Sequence, residues 1–143
     1  MKMKIKRVFL ASDHAGFVLK QKICKFLTSK GIKILDLGPK NSSSVDYPDF
    51  AHLLAKKIKN NNIGVLVCGS GIGMSMAANR HKNIRAALCH NIKSAKLSRM
   101  HNNANVIAIG SRLTKKNLAL KCVNVFLKTP FDGGRHLRRI KKI

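Results

Sequence analysis

The chain contains no glutamate and no tryptophan, a single tyrosine, and only five acidic residues: Asp13, Asp36, Asp46, Asp49 and Asp132. Any carboxylate acting as a base must be one of these five aspartates. No apolar stretch approaches the roughly 18 residues of a membrane-spanning helix, and Met1-Lys2-Met3-Lys4-Ile5-Lys6 leads straight into a short strand pattern without a signal peptide's apolar segment. A soluble cytoplasmic protein is expected, with no membrane partner. The four cysteines, at 24, 68, 89 and 122, form no C-x-x-C pair and no Cys/His spacing of the zinc type, so neither a disulfide framework nor a structural metal is expected. Cys24 and Cys122 fall on the apolar stripes of predicted helices and read as core.

Against so little acid stand 29 lysines and arginines, for a formal net charge of +24. Such an excess ordinarily suggests nucleic-acid binding. Here the lysines are scattered over nearly every predicted helix, aromatic residues are only 5%, and no helix-turn-helix, RNA-recognition or zinc-finger signature occurs. With abundant Asn and Ile, the composition reads as drift in an A+T-rich genome rather than as a binding surface; nothing physical explains the missing glutamate. One rival reading uses the Lys-rich faces and the tail Arg138-Arg139-Ile140-Lys141-Lys142 to bind RNA or an acidic partner.

What is present is an alternation of two periods over 143 residues, 45% of them hydrophobic, enough for one compact domain. Strands are expected over Arg7 to Ser12, Ile32 to Asp36, Ile63 to Val67, Arg85 to Cys89 and Val106 to Ile109. Helices are expected over Phe17 to Ser29, with Leu19, Ile23, Phe26 and Leu27 inward, from Pro48 with Phe50, Leu53, Leu54 and Ile58 inward, after Gly73, over Ile92 to Met100, and over Leu113 to Leu127. Five short strands separated by helices predict a three-layer α/β sandwich around an open five-stranded parallel sheet. The whole of 1–143 reads as one domain with a basic tail from about Gly133.

Ligands in such sheets sit beyond the carboxyl ends of the strands. The residues there are Ser12-Asp13-His14-Ala15-Gly16, Cys68-Gly69-Ser70-Gly71-Ile72-Gly73, Cys89-His90-Asn91 and Gly110-Ser111-Arg112. The second is the most specific: a buried strand ends in a cysteine and three glycines at alternate positions, followed by good helix formers. Such a loop suits a small anion or an oxyanion and makes Cys68 a candidate thiolate. It fails the dinucleotide fingerprint, with Met74 in the third glycine's place, and it fails the nucleotide P-loop, with no Gly-Lys-Ser/Thr. Asp13 and Asn91 read equally well as helix caps. His101, among asparagines, reads as a turn residue or a functional one, and Arg135 and Arg139, at i and i+4, as a phosphate clamp or a solvated face. His52, His81 and His90 have no supporting context and read as structural.

Taken together, Asp13-His14-Ala15-Gly16, Asp46-Tyr47-Pro48, Cys68 to Gly73, Ala77-Ala78-Asn79-Arg80, Ser98-Arg99-Met100-His101-Asn102, Asn105-Val106, Gly110-Ser111-Arg112 and Gly133-Gly134-Arg135-His136 resemble, in order and through almost the whole chain, the type B ribose-5-phosphate isomerases. That family includes relatives acting on hexose 6-phosphates such as allose and galactose. The resemblance implies a metal-free, cofactor-free interconversion of D-ribose 5-phosphate and D-ribulose 5-phosphate through an enediolate, in the pentose phosphate pathway. It makes Cys68 the base at carbon; relatives that lack this cysteine carry a glutamate where this chain has Met74. It gives the N–H groups of Gly69, Gly71, Ile72 and Gly73 to the enediolate, and Ser70 to the proton between O1 and O2. His101 becomes the ring-opening acid/base, Asn102 and Asp13 sugar ligands, Tyr47 a wall, and His14, Arg112, Arg135 and Arg139 the phosphate set. It further implies a homodimer, or a dimer of dimers, in which two subunits share each site.

Overall fold

The structure, a computed structural model, describes residues 3–143. Strands β1 (Arg7–Ser12), β2 (Ile34–Asp36), β3 (Asn62–Cys68), β4 (Ala86–Leu88) and β5 (Val106–Gly110) alternate with helices α1 (Phe17–Ser29), α2 (Tyr47–Ala55), α3 (Ile72–Ala78), α4 (Ile92–Asn102) and α5 (Lys116–Lys128); a short α6 (Arg135–Ile140) follows. The five strands pair in the order β2-β1-β3-β5-β4, every pairing parallel. The expected five-stranded parallel sheet is therefore present, with β5 inserted between β3 and β4.

Residues alternate strictly across this sheet. Val8, Leu10, Val65, Val67, Ile107 and Ile109 join Leu19 and Ile23 of α1 and Cys122 and Phe126 of α5 in one buried cluster. Phe9, Ala11, Leu66, Cys68, Val106 and Ala108 join Leu54 of α2 and Met74 of α3 in the other. The helices divide accordingly, α1, α4 and α5 over one face, α2 and α3 over the opposite one. Right-handed crossovers require this, because β1→β2 and β4→β5 step one way along the sheet and β2→β3 and β3→β4 the other.

Four expectations need correction. The second strand begins at Ile34 rather than Ile32, because Ile32 N–H is taken by Leu27 O at 3.1 Å as α1 ends. The fourth is shortened to Ala86–Leu88, since the backbone N–H of Arg85 is drawn to the Asn105 side chain at 2.8 Å. The fifth helix starts at Lys116, because Leu113 and Thr114 N–H groups both turn back onto Gly110 O. Leu53 is 40% exposed: the inward set of α2 is Ala51, Leu54 and Ala55, and Leu53 lies about 100° away around the helix. Among the described residues no helix is long and apolar enough to cross a membrane.

Candidate active site

β1 and β3 are the neighbours from which the chain departs in opposite directions, so their carboxyl ends flank a crevice at the topological switch point. The crevice is an open cleft of about 610 Å³ lined by Asp13, Tyr47, Cys68, Gly69, Ser70, Ile72, Gly73 and Arg112, with Met76 and Leu113 at its margin. That volume lies within the range of small-molecule sites.

Cys68 is the last residue of β3, 4% exposed, with its side chain on the α2/α3 face. The chain then turns through Gly71, whose φ of 79° is left-handed backbone that a side chain would strain. This turn brings the N–H of Gly71 onto Cys68 Sγ at 3.0 Å, holding the sulfur as an acceptor at the floor of the cleft. Ser70 Oγ accepts from Ile72 N–H at 3.2 Å. The loop is clamped from the β5 side, where Ser111 N–H donates to Cys68 O at 2.7 Å and Arg112 N–H to Gly69 O at 3.0 Å. Arg112 thereby arches over Gly69, and among the described residues its guanidinium pairs with no carboxylate. Tyr47, at the start of α2, packs against Gly73, where a methyl would fall 2.5 Å from the phenol ring.

Asp13 is 8% exposed and borders the cleft; it is not the cap expected of it, because the N-cap of α1 is Gly16, and its Oδ1 instead accepts Gly16 N–H at 2.9 Å in the turn before the helix. Asn91 caps α4, accepting Ser94 N–H at 2.8 Å. His14 Nδ1 accepts Val45 N–H at 3.3 Å, steering the segment that leads into α2. Cys89 and Cys122 are buried in the core, and Cys24 is half-buried against it. Burial pushes Cys24 and Cys89 up to about 11 and raises Cys122 as well.

His101, Asn102, Arg135 and Arg139 are elsewhere. Since β4 and β5 are parallel, α4 must carry the chain from the carboxyl edge of the sheet back to its amino edge, about 16 Å for its 11 residues. His101 and Asn102 are the last residues of that helix. Arg85, just before β4, fixes them at the amino edge by donating to Asn102 O and Asn103 O, each at 3.1 Å. The tail joins them there: Asp132 N–H donates to Met100 O at 3.0 Å, and His136 stacks on His101 with centroids 4.3 Å apart and planes 10° from parallel. Arg135 and Arg139 are exposed on α6. The ligand atoms of His101, Asp132 and His136 lie within 4.8 Å of one another, but imidazoles stacked face to face direct their lone pairs side by side rather than at one ion. Thus one chain brings together Asp13, Tyr47, Cys68, the glycine loop and Arg112, and carries His101, Asn102, Arg135 and Arg139 at the opposite edge.

Two residues escape a reading by residue type. Arg99, 3% exposed, donates to Ala104 O, to Asn103 Oδ1 at 3.1 Å and to Thr129 O at 3.3 Å, tying the end of α4 to the start of the tail. Lys20 is fully buried on the inward face of α1 and pairs with Asp36 at 2.7 Å, the one ion pair among the described residues.

The family model described as Ribose/Galactose Isomerase matches residues 8–143. The chain belongs to the ribose/galactose isomerase family. Among members of this family, the chain is 47% identical over 140 residues to the probable ribose-5-phosphate isomerase B of Mycoplasma genitalium, covering 95% of this chain and 92% of that protein. Its fold superposes on the solved ribose 5-phosphate isomerase B of Anaplasma phagocytophilum with a TM-score of 0.95 at 48% identity, covering 99% of both chains. It superposes on the Mycoplasma genitalium enzyme with bound ribulose-5-phosphate with a TM-score of 0.93 at 44% identity, covering 97% of this chain and 95% of that one.

Proposed function

We propose that this protein interconverts D-ribose 5-phosphate and D-ribulose 5-phosphate through an enediolate, in sites that two copies of the chain complete together. The observation that carries the reading is the Cys68 sulfur, fixed by the Gly71 N–H at the end of a central strand, in a cleft that also holds Asp13, Ser70 and Arg112.

In this reading His101 protonates the ring oxygen as the C1–O4 bond breaks, and the anomeric O1–H proton passes to solvent, so that the furanose opens to the aldehyde. Cys68, as thiolate, removes the proton from C2, and the electron pair of that C–H bond flows through the new C1–C2 double bond onto O1. The N–H groups between Gly69 and Gly73 stabilise that charge, those of Gly71 and Ile72 turning to it from Cys68 Sγ and Ser70 Oγ. Ser70 moves a proton from O2 to O1, and the Cys68 thiol returns its proton to C1, leaving the ketone at C2. Asp13 and Asn102 bind sugar oxygens, Tyr47 walls the cleft, and His14, Arg112, Arg135 and Arg139 hold the phosphate.

A second copy presenting its amino edge to this carboxyl edge supplies what one chain holds too far away, and the two-fold arrangement makes two such sites per dimer. Residues 1–143 act as one isomerase domain, located in the cytoplasm. Turnover of ribose 5-phosphate and allose 6-phosphate, measured side by side on purified protein, tests the substrate. Ribose 5-phosphate is expected to be preferred, and a tenfold preference for the six-carbon sugar overturns the assignment.

A further inference from the structure

We propose that Asp132 is a positioning residue for the stacked His101–His136 pair, the nearby carboxylate that lets it carry a proton among the tail arginines. The inference deepens the reading above and rests on His101 as the ring-opening acid.

Three observations carry it. The backbone of Asp132 is bonded to Met100, the residue before His101, which places Asp132 beside the last turn of α4. The imidazoles of His101 and His136 stack at 4.3 Å, and a carboxylate oxygen lies within 4.8 Å of a nitrogen of each ring. The third is scarcity. In a chain of 29 cationic side chains and five acids, Asp36 is spent on Lys20 and Asp13 on the Gly16 N–H in the turn before α1, while Asp132 is placed where two imidazoles meet Arg135 and Arg139.

The charges facing His136 are His101 from α4, Arg135 and Arg139 from its own helix, and Asp132 from the preceding loop. Partial desolvation and then the three cationic neighbours lower its affinity for a proton, and Asp132 is the group that opposes them. Beside a stacked ring and two arginines, the Asp132 carboxylate is the group that favours the charged form of His136.

The test is Asp132→Asn in the full-length protein, with Asp132→Glu as the conservative control. Histidine ring resonances are followed by NMR against pH, and the pH profile of kcat/KM is measured for ribose 5-phosphate. Removing the carboxylate lowers the proton affinity of the pair, so a required imidazolium is lost at lower pH. The His136 midpoint and the alkaline limb of kcat/KM are both expected to fall by about 0.5 pH unit or more. Glutamate is expected to restore both, and the His52 and His81 resonances, from the α2/α3 side, should not move. An unmoved His136 midpoint or alkaline limb overturns the proposal, and so does a shift shared with His52 and His81, which would report a general structural change. His101→Ala separates the two levels. If it leaves turnover of cyclic substrate intact, the acid role of His101 fails; if it abolishes turnover while Asp132→Asn leaves the limb in place, only the Asp132 role fails.

Discussion

At the carboxyl edge of the sheet the working surface is largely backbone: a sulfur held by an amide, a loop pinned through the carbonyls of Cys68 and Gly69, and glycines that leave room for Tyr47 and Arg112. At the amino edge it is largely side chain: two stacked imidazoles, exposed arginines on a short helix with no buried residue, and Arg99 and Asp132 tying the pieces to α4. The first region is anchored to β3 and β5, at the centre of the sheet, and is rigid because the core is. The second hangs on helix ends, and its shape depends on a few polar contacts. Groups aimed at developing charge belong where the scaffold is stiffest.

The contrast yields predictions of graded size. Cys68→Ala should remove nearly all turnover, leaving a few per cent of kcat at most, while substrate affinity changes within a few-fold, because the base acts on a proton in the transition state. Iodoacetamide should inactivate the wild type, with bound substrate slowing it, whereas Cys24 and Cys89, pushed up to about 11 by burial, should alkylate far more slowly. Steady-state kinetics and peptide mapping check both statements.

The division of labour between edges can be broken directly. Cys68→Ala and His101→Ala chains, each inactive alone, should recover on mixing and subunit exchange roughly a quarter of wild-type activity, since half the dimers are hybrids with one intact site in two. No recovery, with hybrids confirmed by mass, would place both residues in sites made by single chains and end the two-copy reading.

A smaller effect separates arginines that grip phosphate from cations that are only solvated. Arg112→Ala, Arg135→Ala or Arg139→Ala should each raise KM about tenfold or more, from the roughly 1.5 to 3 kcal/mol of a charge-assisted bond. Lys57→Ala, Lys59→Ala and Lys116→Ala should change KM by less than about twofold, because charges beyond roughly 8 Å are screened at physiological ionic strength. Equal effects would mean that the whole positive field, not a defined clamp, gathers the substrate.

Much of the fold was legible in the residues, because strands that alternate between two buried faces and helices with clear apolar stripes announce their own ends. The edge elements were not: β2 and β4 pair on one side only, and their lengths are decided by contacts with Leu27 and Asn105 that lie outside the local pattern. Inserting β5 between β3 and β4 is a long-range choice with no local signature. The Cys68 loop was readable from glycine spacing alone. The burial of Lys20 was not, since a lysine on an inward face looks like a break in the stripe until Asp36 is seen beside it. That His101 and Cys68 lie at opposite edges was available in principle: in a parallel sheet the last residue of a connecting helix is always at the amino edge.

Tyr47 offers an experimental convenience. The chain has no tryptophan and this one tyrosine, whose ring rests on Gly73 at the mouth of the cleft. Its ultraviolet emission therefore has a single origin and no indole to drain it. Without label or mutation, the intrinsic fluorescence of the native chain watches the cleft and nothing else.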